Sequence, residues 1–349
     1  MKIALIGFSN SGKTTLFNAM THQKIEVLPS ITPPETVHKG VLQVEDERLR
    51  KISEIVKPKK TTFANVECID TAGFLRNNPS HNTKVTRELY EADALIFVLR
   101  GFDSPSVPYQ FDSIDPFRDL NELEYELLMF DLDLITKRIE RMDEQKKKGQ
   151  KINDREREIL ENLKIHLEES NPIRTYPLSD EQLREIKHLS FLTIKPFLSV
   201  INVDEKSFSL GKYKEKDVMI VCAPLEMEIN QLPENEVSTF LEALGIEEPV
   251  SKKIIRKAYE LLDYISFFTA GPQEVRAWSI KKGTKAVEAA GKIHSDIQRG
   301  FIRAEVIAYN DFILSDGDFI IAKQKGVFRL EGKEYEVKDG DVITFRFKI

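Results

Sequence analysis

Four short, nearly unbroken apolar runs punctuate the first two thirds of the chain: Ile3-Ala4-Leu5-Ile6, residues 94–99, residues 196–201 and residues 218–222. Runs of this length without polar alternation predict strands covered on both faces, as in a doubly wound, mainly parallel α/β sheet. Residues 62–69 alternate before turning apolar and predict a further strand, one that delivers Asp70-Thr71-Ala72-Gly73 to its C-terminal end. After the first run Leu16, Phe17 and Met20 recur at helical spacing, so a helix follows with its apolar stripe toward the sheet.

From about residue 119 to 190 the period changes. Leu123, Leu127, Phe130 and Leu134 are spaced four, three and four apart, and Ile152, Ile159, Leu163 and Leu167 follow after Lys146-Lys147-Lys148-Gly149. The pattern predicts an antiparallel helical hairpin whose basic loop is a solvated turn. Pro172 closes its second helix, and Ser179 stands three before Gln182, the spacing of a capping box that opens another. From about residue 264 the chain predicts a strand hairpin, and residues 328–337 and 339–347 predict alternating strands broken at glycine turns. These belong to a small mixed α and β domain.

The chemistry sits at the end of the first run. Gly7-Phe8-Ser9-Asn10-Ser11-Gly12-Lys13-Thr14 matches G-x-x-x-x-G-K-[ST], the phosphate loop, between a predicted strand and a predicted helix. Its backbone N–H groups wrap phosphates, with Asn10, Ser11, Gly12, Lys13, Thr14 and Thr15 as nucleotide-binding candidates. Lys13 places a charge on the β and γ oxygens, and the Thr14 hydroxyl is a magnesium ligand. Asp70-Thr71-Ala72-Gly73 supplies the D-x-x-G pattern, in which Asp70 holds magnesium through water and the Gly73 N–H meets the γ-phosphate. In the Pro-rich stretch 28–36, the first switch, Thr32 and Thr36 are both candidates for the metal and spacing selects neither.

Where GTPases carry N-K-x-D for guanine, this chain has Asn202-Val203-Asp204-Glu205, with Ala223 at the end of the next run, and Asn202, Val203, Glu205 and Ala223 are the nucleotide-binding candidates on the base side. Glu205 is one methylene longer than aspartate and Val203 replaces the lysine that would lie along the base. The guanine clamp is not reproduced, and nothing in the changed site rejects adenine. The expected organisation is a nucleotide-binding domain over 1–118 and 191–263, a helical insertion over 119–190 and a third domain over 264–349.

Composition changes the picture little. The chain has 349 residues and a formal charge of −6, which argues against a surface given over to DNA or RNA. Residues 251–349 hold 18 Lys and Arg against 14 Asp and Glu, about +4, so the remainder carries about −10. Cys68 and Cys222 both fall in apolar runs and read as buried, reduced thiols. With no leader and no apolar span of about 18 residues, the expectation is the cytoplasm, without a membrane or DNA partner. His294, with Arg299 and Arg303 nearby, reads as structural.

With these motifs in hand, the chain resembles the Obg-related YchF family, also called Obg-like ATPases, over nearly its whole length. The most specific stretches are Phe267-Phe268-Thr269-Ala270-Gly271-Pro272-Gln273-Glu274-Val275-Arg276-Ala277-Trp278 and Ile293-His294-Ser295-Asp296-Ile297-Gln298-Arg299-Gly300-Phe301-Ile302-Arg303-Ala304-Glu305-Val306. They look like the family's TGS domain, a β-grasp module. The resemblance implies ATP preferred over GTP, association with ribosomes or structured RNA through the helical arm and TGS domain, and a potassium ion held with the help of Asn10.

The chain departs from the family around hydrolysis. The first switch reads Ile31-Thr32-Pro33-Pro34-Glu35-Thr36-Val37-His38, and the second shortens to Leu75-Arg76-Asn77-Asn78-Pro79-Ser80-His81. Phe74 stands where Ras-like proteins place a water-positioning glutamine, a position that is hydrophobic in the family too, whereas Tyr109 stands where family members offer a histidine. Tyrosine is a poor base near neutral pH, and His81 reads as a solvated loop residue. The leading expectation is a slowly hydrolysing ATPase switch with Lys13 and Gly73 in the catalytic site. A non-hydrolysing, nucleotide-gated binding module is the alternative, and a GTP-specific GTPase a weaker one.

Overall fold

The structure is a computed structural model that describes residues 1–27, 36–213 and 218–348. In chain order its strands are β1 (Lys2–Ile6), β2 (His38–Val44), β3 (Lys60–Thr62), β4 (Ala64–Asp70), β5 (Ala94–Arg100), β6 (Phe197–Asn202), β7 (Met219–Val221), β8 (Tyr264–Ala270), β9 (Glu274–Lys281), β10 (Phe301–Ala308), β11 (Arg329–Glu331) and β12 (Asp341–Phe347). One sheet runs β2-β4-β1-β5-β6-β7, and the pairs β1/β4, β1/β5, β5/β6 and β6/β7 are parallel. Every residue of β5 is buried, as its unbroken apolar pattern requires. The strand order reverses beside β1, so the phosphate loop leaves the C-terminal edge where α/β sheets bind ligands.

Helix α1 (Lys13–Thr21) buries Leu16, Phe17 and Met20. Further helices are α2 (Glu47–Val56), α3 (Pro79–Leu89), α4 (Pro116–Lys147), α5 (Asp154–Glu168), α6 (Asp180–Ile186), α7 (Glu205–Ser209) and α8 (Ala223–Ile229). Between α4 and α5 a cluster holds Leu128, Ile135, Met142, Ile159, Leu160, Leu163 and Leu167, so the hairpin has its own apolar seam. The Ser179–Gln182 capping box is formed at the start of α6. Among the described residues no helix is long and apolar enough to cross a membrane.

The second sheet, β11-β10-β12-β8-β9-β3, has antiparallel β8/β9 and β10/β12 with β8 parallel to β12. Its one face is closed by Ala286, Ala289 and Ala290 of the helix Ala286–Ile293, which pack with Phe267, Ile280 and Val306. That is the β-grasp arrangement expected of the C-terminal region.

Three details differ from the sequence expectations. Residues 62–69 are not one strand, because the ladder breaks at Phe63: β3 pairs in parallel with β9, whereas β4 pairs with β1. Only Arg329–Glu331 of 328–337 is a strand, since the backbone turns directly after it, with the Tyr335 N–H donating to the Gly332 carbonyl at 3.3 Å. The chain divides into two compact units, Met1–Gly40 with Glu67–Ile254 and Val41–Val66 with Ile255–Ile349. Residues 41–66, expected in the nucleotide domain, therefore group with the C-terminal residues, and the helical hairpin groups with the nucleotide-binding elements.

Candidate nucleotide-binding site

The phosphate loop is a local consequence of two left-handed residues. Asn10 has φ 62° and Gly12 has φ 92°, and a Cβ at Gly12 would collide with the Asn202 side-chain nitrogen. Glycine alone meets both conditions. Gly12 is also the N-cap of α1 and offers no side-chain cap, which leaves the helix N-terminal N–H groups facing the loop. Lys13 lies over the same turn, its Nζ donating to the Gly7 carbonyl at 3.1 Å and the Phe8 carbonyl at 2.9 Å. Burial pushes its ammonium down to about 8, against a smaller upward pull from Asp70.

Strand β4 brings Asp70 to the loop. The Thr14 hydroxyl donates to Asp70 Oδ2 at 2.8 Å, and His38 Nδ1 lies 3.3 Å from the same oxygen. Asp70 is 2% exposed, and burial raises its carboxyl above the ordinary range despite Lys13, Thr14 and His38. Its Oδ1 is buried with no partner among the described residues. A hydroxyl beside an orphaned carboxylate oxygen is a donor set suited to a hard divalent cation. Of the first-switch threonines, Thr36 is exposed and Thr32 lies outside the described residues.

The D-x-x-G turn is fastened directly to the phosphate loop. Phe74 N–H donates to the Gly7 carbonyl and Ser9 N–H to the Phe74 carbonyl, both at 3.0 Å. A Cβ at Gly73 would meet the Ser9 backbone nitrogen at 2.7 Å, so the close approach needs glycine. The Phe74 ring is fully buried in the core with Phe8 and Phe97. The solvated-loop reading of His81 is overturned: it lies buried in the first turn of α3, its Nε2 2.9 Å from the Gly73 carbonyl. Asn78 caps that turn, its Oδ1 accepting from the His81 N–H at 3.2 Å.

Asn202 closes the opposite side. Its Nδ2 donates to the Ser11 carbonyl at 3.1 Å and its Oδ1 accepts from the Ala223 N–H at 3.0 Å. Val203 requires a correction: its side chain is 1% exposed and packs in the core with Phe97 and Leu99, so it does not lie along a base. The alternation that continues from β6 turns residue 203 inward. Glu205 is exposed in the first turn of α7, while Asp204 caps that helix through Ser207 at 2.8 Å. Thr15 is half-buried in the first turn of α1. Tyr109 donates its hydroxyl to Asp119, and burial raises its pKa well above the ordinary phenol value, which removes it as a base.

The contacts of three residues near this site, Arg100, His38 and His81, escaped sequence reasoning. Arg100, 1% exposed, donates to the carbonyls of Phe102 (3.2 Å), Asn10 (3.3 Å), Pro108 (3.2 Å) and Val107 (2.9 Å). The Asn10 amide nitrogen joins it on Pro108 at 2.9 Å. An arginine that ends a wholly apolar strand was the available signal. His38 and His81 left no such signal, because each meets its partner only through the fold.

A family model described as a 50S ribosome-binding GTPase matches residues 2–203. A second, for the C-terminal region of YchF GTPases and described as a protein of unknown function, matches residues 264–348. The ribosome-binding ATPase YchF of Bacillus subtilis is 40% identical over 99% of this chain and 98% of its own length. That of Haemophilus influenzae is 40% identical over 100% and 99%. Among solved structures, the YchF GTPase of Schizosaccharomyces pombe superposes with a TM-score of 0.83 at 26% identity, covering 99% of this chain and 97% of that one. On the full-length identity to these relatives, and with phosphate loop, D-x-x-G turn and β-grasp sheet all in place, this chain belongs to the YchF family.

Proposed function

We propose that this protein is a ribosome-binding P-loop ATPase that hydrolyses ATP slowly to ADP and phosphate, with nucleotide state controlling its docking. The observation that carries the reading is the convergence of Lys13, Thr14 and Asp70 at the N-terminus of α1. Thr14 and Asp70 would hold Mg2+, which when bound neutralises charge on the β and γ oxygens. Lys13 exchanges the Gly7 and Phe8 carbonyls for phosphate oxygens. The Gly73 N–H meets the γ-phosphate, and His81 on the Gly73 carbonyl steadies the peptide that follows it. Asn10 is the candidate potassium ligand, steadied through Pro108.

ATP is the preferred base partner because Glu205 and Val203 do not rebuild the guanine clamp, while Asn202 and Ala223 support the loop beneath it. A ribosome-binding role fits the cytoplasm. Phosphate release that requires Lys13, tighter titration of ATP than GTP, and nucleotide-dependent co-sedimentation with ribosomes test the proposal together. GTP binding more tightly than ATP would overturn the base assignment.

A second reading, a non-hydrolysing nucleotide-gated module, is favoured by one observation. Phe74 is buried and Tyr109 is committed to Asp119, so neither orients water. Tight ATP binding without phosphate release would select it.

A further inference from the structure

We propose that His38 is a nitrogen ligand of the divalent-metal site and biases it toward Mn2+ and Co2+ over Mg2+. The inference deepens the ATPase reading, since it rests on Thr14 and Asp70 holding a metal. His38 opens β2, directly after the first switch, and its Nδ1 sits 3.3 Å from the Asp70 oxygen that accepts the Thr14 hydroxyl at 2.8 Å. The other Asp70 oxygen is buried with no partner among the described residues. The Thr14 hydroxyl and the His38 imidazole thus converge on Asp70 Oδ2, beside the unpartnered Oδ1 of the same carboxylate. Thr36, two residues earlier, is exposed, so His38 is the described switch side chain that reaches Asp70.

Oxygen-only sites suit Mg2+, whereas an imidazole nitrogen favours later first-row metals, with affinity rising from Mn2+ through Co2+. The ring is partly enclosed. It lies 30% exposed, with the Phe17 ring 6.5 Å away on α1. A metal that takes the Asp70 carboxylate finds the His38 nitrogen already beside it. His38 thus adds a softer donor to the switch side of the site.

The test uses the full chain with a non-hydrolysable ATP analogue, comparing wild type with His38→Asn and His38→Gln. Mn2+ and Mg2+ affinities come from competition followed by the electron paramagnetic resonance of free Mn2+, and nitrogen coupling to bound Mn2+ from pulsed measurements. Expected is a Mn2+ preference that falls on the order of tenfold in both variants, with a nitrogen coupling lost from both and Mg2+ affinity little changed. An unchanged Mn2+ to Mg2+ ratio, or identical nitrogen couplings in wild type and a folded variant, overturns the inference. Failure of Lys13→Ala to weaken nucleotide binding would instead count against the ATPase reading, so the two failures are separable.

Discussion

Asn202 donates its side-chain N–H to the Ser11 carbonyl at 3.1 Å, a bond that joins residues 191 positions apart. The same amide accepts from Ala223, so one buried side chain ties the phosphate loop to the start of α8. Asn202→Ala leaves the Ser11 carbonyl and the Ala223 N–H without this partner, each at a cost of about 1–3 kcal/mol. Denaturant unfolding is expected to show the loss, and ATP titration a weaker complex. Gly12→Ala removes ATP binding for a related reason, since its Cβ strikes Asn202 at φ 92°.

Arg100 serves four carbonyls with one planar fork. Lysine keeps the charge but cannot match that geometry. Arg100→Lys is expected to cost about 2–3 kcal/mol in folding and to weaken nucleotide binding as well, because the Asn10 carbonyl loses its anchor. Wild-type ATP affinity in a destabilised but folded Arg100→Lys protein would refute the link to Asn10.

Asp131 in α4 is fully buried and accepts from Leu192 N–H (2.8 Å), Thr193 N–H (2.7 Å) and the Thr193 hydroxyl (2.7 Å). Burial raises its carboxyl from 3.8 to about 6, against these bonds and Lys195. The folded protein therefore binds the proton more tightly than the unfolded chain. Its stabilising contribution is complete below about pH 4 and lost as pH rises through about 6, to an upper limit of roughly 3 kcal/mol. Asp131→Asn sets an amide NH2 against N–H donors, so it should lower stability throughout and flatten that slope. Unfolding curves from pH 4 to 7 check both.

Glu226 is 2% exposed and caps the helix Val250–Leu261, accepting from Val250 N–H at 2.8 Å and Ser251 N–H at 3.1 Å. Glu226→Ala is expected to cost about 2 kcal/mol. Glu226→Gln, with one accepting oxygen, should fall between the two in a thermal melt.

The phosphate loop, the D-x-x-G turn and the helical hairpin were legible because their chemistry is contiguous or periodic. Lys13 and Thr14 are neighbours in the chain, and Leu123, Leu127, Leu163 and Leu167 repeat at the spacing that buries them. His81 was misread because helix α3 starts as soon as Asn78 can cap it, a choice made by local hydrogen bonding rather than hydrophobic period. Val203 was misread because position in a motif says nothing about the face of the chain it occupies.

What the sequence determined by itself is that a triphosphate is held, on which sheet edge, and in which family's architecture. Tertiary structure decided which polar groups share a corner: His38 with Asp70, His81 with Gly73, Arg100 with Asn10. Strand pairing decided that Lys60–Thr62 joins the C-terminal sheet beside β9, while β4, which follows it, joins the other sheet. The physical reason is the same in each case. Hydrogen bonds at 3 Å depend on parallel strand register and helix start points, and neither is encoded in the spacing of residues 8, 32 or 90 positions apart.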